Sequence, residues 1–139
     1  MQTPLKMAVD LDGTIVEHKY PEIGKEMLFA FDTLLALQKQ KHLLILWTFR
    51  KGKELDEAVE FCRRRGLEYY AVNASYTEEE FDEEFSSRKI EADIFIDDRN
   101  IGGLPSWGEI YQMINPGESP TLEDELKSLP RKKRGLFKR

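Results

Sequence analysis

The feature that most constrains the fold is the alternation of short apolar segments with helix-like patterns. The apolar segments are LKMAVDLD, LLILWT, EYYAVN and ADIFIDD, at residues 5–12, 43–48, 68–73 and 92–98. Runs of this length that are mainly apolar are typical of strands buried on both faces of a parallel sheet. Strands that alternate with helices favour right-handed crossovers within one sheet. We therefore predict an α/β, three-layer Rossmann-like fold, with a central parallel sheet flanked by helices.

The segments between these strands have the periodicity of amphipathic helices. Apolar residues recur at spacings of three and four over 24–40, which predicts the first helix. Gly66 suits the end of a second helix, because glycine readily adopts the left-handed conformation that closes a helix. Ser106 and Glu109 form a capping-box pattern at the start of another. Helices after the first are predicted over 53–66, 76–89, 105–115 and 119–129.

The length of 139 residues suits one domain, which we place at 1–129 and which is followed by a basic tail at 130–139. The last nine residues carry six of the 21 basic side chains and none of the 26 acidic ones. The rest of the chain is therefore acidic, which argues against a broad nucleic-acid surface. We predict a solvated, disordered tail, although it could also bind phosphates or an acidic partner.

The composition also predicts where the protein works. No apolar run approaches the roughly 20 residues that a membrane helix needs, and the first residues lack the pattern of a signal peptide. The only cysteine, Cys62, excludes an internal disulfide and fits a reducing compartment. We expect it to pack as a small apolar side chain, and we predict a cytoplasmic protein without a membrane partner.

Polar residues follow three of the four predicted strands where each strand ends. Asp10 and Asp12 end the first strand, Thr48 ends the second, and Asp97 and Asp98 end the fourth. The carboxyl ends of parallel strands share one edge of a sheet, which is where α/β folds bind ligands. Four carboxylates at one edge would repel one another and need a cation, and oxygen ligands select Mg²⁺. A carboxylate beside Mg²⁺ can attack a phosphoryl group while a second acid moves a proton.

These same segments resemble the motifs of a known enzyme superfamily. DLDGT at 10–14 is similar to the DxDGT signature of the haloacid dehalogenase (HAD) superfamily of phosphatases. WTFR at 47–50 resembles the second motif, and SRKIEADIFIDDRN at 87–100 resembles the third and fourth. The four elements occur in the order of the superfamily. The chain most resembles its small, stand-alone, uncapped members.

The resemblance implies a catalytic role for each matching residue. Asp10 would be the nucleophile, and Asp12 would be the general acid/base. Thr48 would hydrogen-bond the phosphoryl oxygens. Lys89 would neutralise charge on the nucleophile and the phosphoryl group, unless the neighbouring Arg88 takes this role.

The resemblance also implies a Mg²⁺ cofactor and a substrate-binding set. Asp10, Asp98 and the backbone carbonyl of Asp12 would bind the ion, and Asp97 would support it through water or a hydrogen bond. The residues expected to contact substrate are Gly13, Thr48, Arg50, Lys89 and Arg99. The two arginines are expected from their positions and not from the resemblance: Arg50 and Arg99 flank the site on loops and would grip the substrate, since arginine commonly makes paired contacts with phosphate. Each could equally be an ordinary surface arginine.

The motif spacing leaves no room for a folded cap, so the resemblance implies an open site. Uncapped relatives act on large substrates or borrow a lid from a neighbouring subunit, and a homo-oligomer could cover the site here. Residues 16–24 are the one candidate for an intrachain flap. We expect His18 and His42 at the surface or at a strand edge, and Trp47, Trp107 and the phenylalanines in the core.

Three functions remain open at this point. The first is a Mg²⁺-dependent phosphatase that acts through an aspartyl-phosphate, with a small phosphorylated metabolite as substrate. The second is a polynucleotide 3′-phosphatase that the basic tail tethers to nucleic acid. The third is a catalytically idle phosphate-binding or scaffold protein, which would need no nucleophile beside an acid.

Overall fold

The computed structural model describes residues 3–77, 79–80 and 89–117, and within them a helix follows the first, second and fourth strands. The elements are β1 (Lys6–Val9), α1 (Ala30–Lys39), β2 (Leu43–Leu46), α2 (Gly52–Arg64), β3 (Ala71–Val72), β4 (Ile94–Ile96) and α3 (Trp107–Ile114). The strands form one sheet in the order β3-β2-β1-β4, and all neighbouring strands are parallel. The predicted Rossmann-like α/β fold with a parallel sheet is confirmed.

Alternate residues of each strand face opposite sides of the sheet. Met7 and Val9 of β1 join a large apolar cluster to which α1, α2 and α3 all contribute. Ala8 joins a second, smaller cluster with Ile45 and Ile90 on the opposite face. Burial on both faces explains why the strand sequences are almost continuously apolar. No helix among the described residues is long and apolar enough to cross a membrane.

Two of the predicted helices and the tail fall where the structure is not described. The helix predicted over 76–89 lies mostly outside the described residues, since 78 and 81–88 are not among them. The helix predicted over 119–129 and the basic tail at 130–139 lie entirely outside them.

Helix α1 begins at Ala30, so the predicted start at residue 24 is wrong. The preceding residues instead belong to a flap, which we define as residues 16–26, and whose two ends pair in an antiparallel bridge. Directly after the flap, the Met27 N–H donates to the Ile15 carbonyl at 2.8 Å. The backbone groups of these residues bond to one another across the flap, so they are not available for helical hydrogen bonds that would extend α1 toward the N-terminus.

The helix ends that the sequence signals predicted are present. The Ser106 hydroxyl accepts from the Glu109 N–H at 3.3 Å, which caps the N-terminus of α3, and donates to the Glu109 carboxylate at 2.9 Å. Gly66 follows α2 with a φ of 89°, and the next N–H, of Leu67, donates to the Cys62 carbonyl at 3.0 Å. Cys62 is fully buried, as expected for a packed apolar side chain.

Three expectations about single residues need separate accounts. Trp107 is buried in the core, as predicted. His42 lies just before β2 and is buried rather than at the surface; its Nδ1 accepts from the Leu5 N–H at 3.0 Å, and burial lowers the pKa of its imidazole. Phe49 is 58% exposed, so the prediction that it packs in the core is wrong.

Candidate active site

A cleft of about 560 Å³ opens where the carboxyl ends of β1, β2 and β4 meet. The residues that line it are Asp10, Asp12, His18, Trp47, Thr48, Phe49, Asp97 and Arg99. The structure therefore brings together side chains from the ends of three strands, which the sequence separates by almost 90 positions. Parallel pairing produces this convergence, because each strand delivers its next residues to the same edge.

Three carboxylates at this edge form a compact cluster. Asp10, Asp97 and Asp98 each offer one oxygen, and these oxygens lie within 4.8 Å of one another. Burial raises the pKa of Asp10 from 3.8 to about 7, and repulsion from Asp97 and then Asp98 adds to this rise, against the opposing hydrogen bond from Thr14. The cluster therefore disfavours its own negative charge and favours a cation.

The residues present fit a hard divalent cation. The three side chains offer only carboxylate oxygens, which are the ligands that Mg²⁺ and Ca²⁺ prefer. The Asp98 carboxylate packs directly on the backbone of Gly13: a Cβ built at Gly13 would lie 2.3 Å from the Asp98 Oδ2. Gly13 also has a φ of 88°, a conformation that side chains disfavour. Glycine at this position thus lets the fourth strand bring its carboxylate up to the first.

Thr14 joins the two halves of the carboxylate cluster. Its buried hydroxyl donates to the Asp10 Oδ2 at 3.1 Å and accepts from the Asp98 N–H at 3.1 Å. The indole N–H of Trp107 donates to the Thr14 carbonyl at 3.0 Å, which ties the loop to α3. The Thr14 hydroxyl is thus the link between two strand ends.

Arg50 is buried against Asp12, so the prediction that it grips the substrate is wrong. Its Nε and Nη2 donate to the two Asp12 carboxylate oxygens, both at 2.8 Å, and both side chains are fully buried. Its remaining hydrogen bonds go to the carbonyls of Pro21 at 3.0 Å, Glu22 at 2.7 Å and Glu54 at 3.5 Å. A guanidinium has five N–H donors, and these contacts use all of them.

Thr48 lies in the cleft and is held by its backbone N–H and by its hydroxyl. Its N–H donates to the Asn73 Oδ1 at 2.8 Å, and its hydroxyl oxygen accepts from the Arg50 N–H at 3.2 Å. A hydroxyl that accepts from the backbone can still donate its own proton. Thr48 therefore suits the predicted hydrogen bond to a phosphoryl oxygen.

The structure does not bring Lys89 into the cleft. Lys89 is exposed, its Nζ lies 5.7 Å from the centre of the Phe95 ring, and it is not among the residues that line the cleft. Arg88 lies outside the described residues. Arg99 does line the cleft, and its N–H donates to the Asp97 Oδ1 at 2.9 Å. Arg99 therefore places a positively charged side chain at this site.

Sequence reasoning missed three residues that line the cleft, His18, Trp47 and Phe49. His18 lies on the flap, Trp47 was expected only in the core, and Phe49 lies between Thr48 and Arg50. A signal for Phe49 was present, since it directly follows a predicted site residue at the carboxyl end of a strand. The candidate flap at 16–24 includes His18, but no pattern indicated that its ring would line the cleft, because its position depends on how the flap folds.

Replacing Gly13 by alanine should disrupt the approach of Asp98. We expect Gly13→Ala to lower the free energy of unfolding by about 2 kcal/mol or more, since the new Cβ would overlap the Asp98 carboxylate and strain the backbone. Gly102→Ala is a matched control, because Gly102 has a φ of 91° but no atom near its Cβ position. Denaturant unfolding measures both variants, and equal losses would contradict the role of the close approach.

Comparison with known proteins yields one match. No protein-family model matches the chain, and no curated protein does. The solved structure of a conserved protein from Bacteroides thetaiotaomicron is 56% identical to it, with a TM-score of 0.77. The match covers 84% of this chain and 94% of that one. At this identity and coverage, the chain belongs to the same family as the conserved Bacteroides thetaiotaomicron protein.

Proposed function

We propose that this protein is a Mg²⁺-dependent phosphomonoester hydrolase of the HAD type, with Asp10 as its nucleophile. The observation that carries the proposal is the cluster of Asp10, Asp97 and Asp98 oxygens at the carboxyl edge of the sheet. A fourth carboxyl group, that of Asp12, lines the same cleft. It is paired with Arg50 and does not belong to the cluster. Two carboxylates in such different surroundings suit two different roles.

The chemistry has two steps that the residues of this chain can perform. An Asp10 oxygen attacks phosphorus, and the bond from phosphorus to the ester oxygen breaks while Asp12 donates a proton to that oxygen. Water then attacks phosphorus of the aspartyl-phosphate and gives its proton to Asp12, which releases phosphate and restores Asp10. The Thr48 hydroxyl donates to a phosphoryl oxygen. When bound, Mg²⁺ supplies positive charge that offsets the negative charge of the phosphoryl group.

The Arg50 pair holds the Asp12 side chain in position beside the cleft. Both oxygens of the Asp12 carboxyl group contact Arg50 at 2.8 Å, which orients the group. To act on a ligand, one oxygen of Asp12 exchanges an Arg50 hydrogen bond for one to the ligand, while the other keeps the side chain in place.

Arg99 would supply positive charge to a bound phosphate. Arg99 lines the cleft beside Asp97, and arginine commonly binds phosphate through two parallel hydrogen bonds. Lys89 stays in the proposal only through the resemblance of its motif, because it is exposed and outside the cleft lining. The proposal includes a cytoplasmic location, which a single buried thiol at Cys62 supports.

A phosphatase panel with two metal conditions tests the proposal. Sugar phosphates, nucleotides and phosphorylated oligonucleotides are incubated with the full chain in Mg²⁺ and in EDTA, and the protein is acid-quenched during turnover for peptide mass analysis. We expect hydrolysis only with Mg²⁺, and a phosphoryl group on the peptide that contains Asp10. Hydrolysis that persists in EDTA, or Mg²⁺ binding without turnover of any ester, would contradict it; the second result would favour an idle phosphate-binding protein.

A further inference from the structure

Three aromatic side chains gather beside the cleft, and two of them, His18 and Phe49, line it. Phe49 and Tyr20 are 58% and 44% exposed, and their ring centres are 4.9 Å apart at an interplanar angle of 57°. The ring of His18 lies 6.5 Å from that of Phe49 and is nearly parallel to it, at 13°. Single exposed apolar side chains are common on protein surfaces, but this is a cluster at the edge of a polar cleft.

Phe49 is exposed although its backbone is firmly held. The residue before it, Thr48, is bound to Asn73, and the residue after it, Arg50, is buried with every side-chain donor engaged. The Arg50 guanidinium also lies 5.1 Å from the centre of the Tyr20 ring. The chain on either side of Phe49 is therefore held by the same contacts that hold the site. An exposed aromatic face beside a polar cleft suits the stacking of another planar ring.

We propose that His18, Tyr20 and Phe49 form a stacking wall for the base of a nucleotide, whose phosphate occupies the adjoining cleft. This inference rests on the proposed function, and it names the substrate class as a phosphomonoester that carries a planar heterocycle. The cleft volume of about 560 Å³ lies in the range of small-molecule sites and exceeds the needs of a phosphate alone. A free mononucleotide and the phosphorylated end of a strand share this chemistry.

The test compares two ligands that differ only in the base. Adenosine 5′-monophosphate and ribose 5-phosphate are titrated into Asp10→Asn protein with Mg²⁺ present, so that binding is measured without turnover. We expect the nucleotide to bind at least about 10-fold more tightly, as stacking of one base on one aromatic ring produces. Equal affinity for the two ligands would overturn the proposal.

Two substitutions at Phe49 separate ring stacking from apolar contact. Phe49→Leu keeps an apolar side chain without a ring face, and should reduce the preference for the nucleotide about 10-fold. Phe49→Trp keeps a ring face and should retain the preference. Tyr76→Leu is the matched control, because Tyr76 is 50% exposed and does not line the cleft. Unchanged preference in Phe49→Leu, or a change in its oligomeric state instead of its ligand affinity, would overturn the wall.

The remaining outcomes distinguish this inference from the proposed function. Base-dependent binding that needs Phe49, without hydrolysis of any ester by the wild-type chain, would support the stacking wall and contradict the phosphatase activity. Mg²⁺-dependent hydrolysis at equal kcat/KM for the two esters would support the phosphatase activity and contradict the stacking wall. A short oligonucleotide with a terminal phosphate is the third ligand: tighter binding than the mononucleotide identifies a strand end as the source of the base, and weaker binding identifies a free nucleotide.

Discussion

The Asp10→Asn variant should lose phosphatase turnover by about 10³-fold or more and yet be more stable than the wild type at pH 8 without divalent cations. Asparagine removes the attacking carboxylate, which accounts for the loss of turnover. It also removes a charge that burial and the repulsion of Asp97 and Asp98 make unfavourable. A catalytic group that destabilises its own fold is expected where like charges gather for function.

The sign of the stability effect follows from the raised pKa of Asp10. The folded protein holds this proton up to about pH 7, whereas the unfolded chain releases it near pH 3.8. Stability therefore falls as the pH rises through this window, and the penalty is fully present above about pH 7. We expect a gain of about 1–2 kcal/mol in the variant at pH 8, since solvent in the open cleft screens part of the repulsion, and no gain at pH 3.5.

Thermal unfolding at several pH values measures this effect. Asp56→Asn is the control, because Asp56 is an exposed carboxylate of α2, and its substitution should leave the pH dependence unchanged. Added Mg²⁺ should stabilise the wild type more than Asp10→Asn, since the ion binds the folded state and is held partly by this carboxylate. A variant that is less stable than the wild type at pH 8, or that keeps its turnover, would contradict the role given to Asp10.

Replacing Arg50 by alanine should have the largest effect on stability. We expect Arg50→Ala to lower the free energy of unfolding by about 3–5 kcal/mol, because it leaves the Asp12 carboxylate buried without its partner. It also removes the hydrogen bonds to Pro21 and Glu22, which hold the flap. Activity should fall with stability, since both Asp12 and the flap lose their positions.

Exposed and buried arginine pairs can be compared directly in this chain. Arg63 also makes two 2.8 Å hydrogen bonds to one carboxylate, that of Glu60, but its side chain is 64% exposed. Arg63→Ala should therefore change stability by less than about 1 kcal/mol. Denaturant unfolding of the two variants gives the comparison, and similar losses would show that the burial of the Arg50 pair has no energetic importance.

A double substitution keeps the interpretation independent of simple misfolding. Arg50→Met fills much of the arginine volume but leaves Asp12 unpaired. Adding Asp12→Asn removes the unpaired charge, so the double variant should be more stable than Arg50→Met alone. If the second substitution instead lowers stability further, the loss comes from packing and not from the buried carboxylate.

Much of the fold was predictable, because burial leaves a periodic record in the chain. Strands buried on both faces are mainly apolar, and the N-cap of α3 at Ser106 is a local signal with a local cause. The start of α1 was not predictable in this way. Its apparent pattern over 24–40 continued into the flap, where backbone hydrogen bonds to distant residues replaced helical ones.

The candidate site was likewise predictable only in part. The sequence by itself determined that Asp10, Thr48 and Asp97 lie at one edge, because the parallel order of the strands places their carboxyl ends together. Only the tertiary structure decided that Arg50 is buried on Asp12, that Lys89 stays outside the cleft lining, and that His18 faces Phe49. A strand end sets where a side chain starts, whereas its partner depends on desolvation and on loops that close in three dimensions, which no local pattern records.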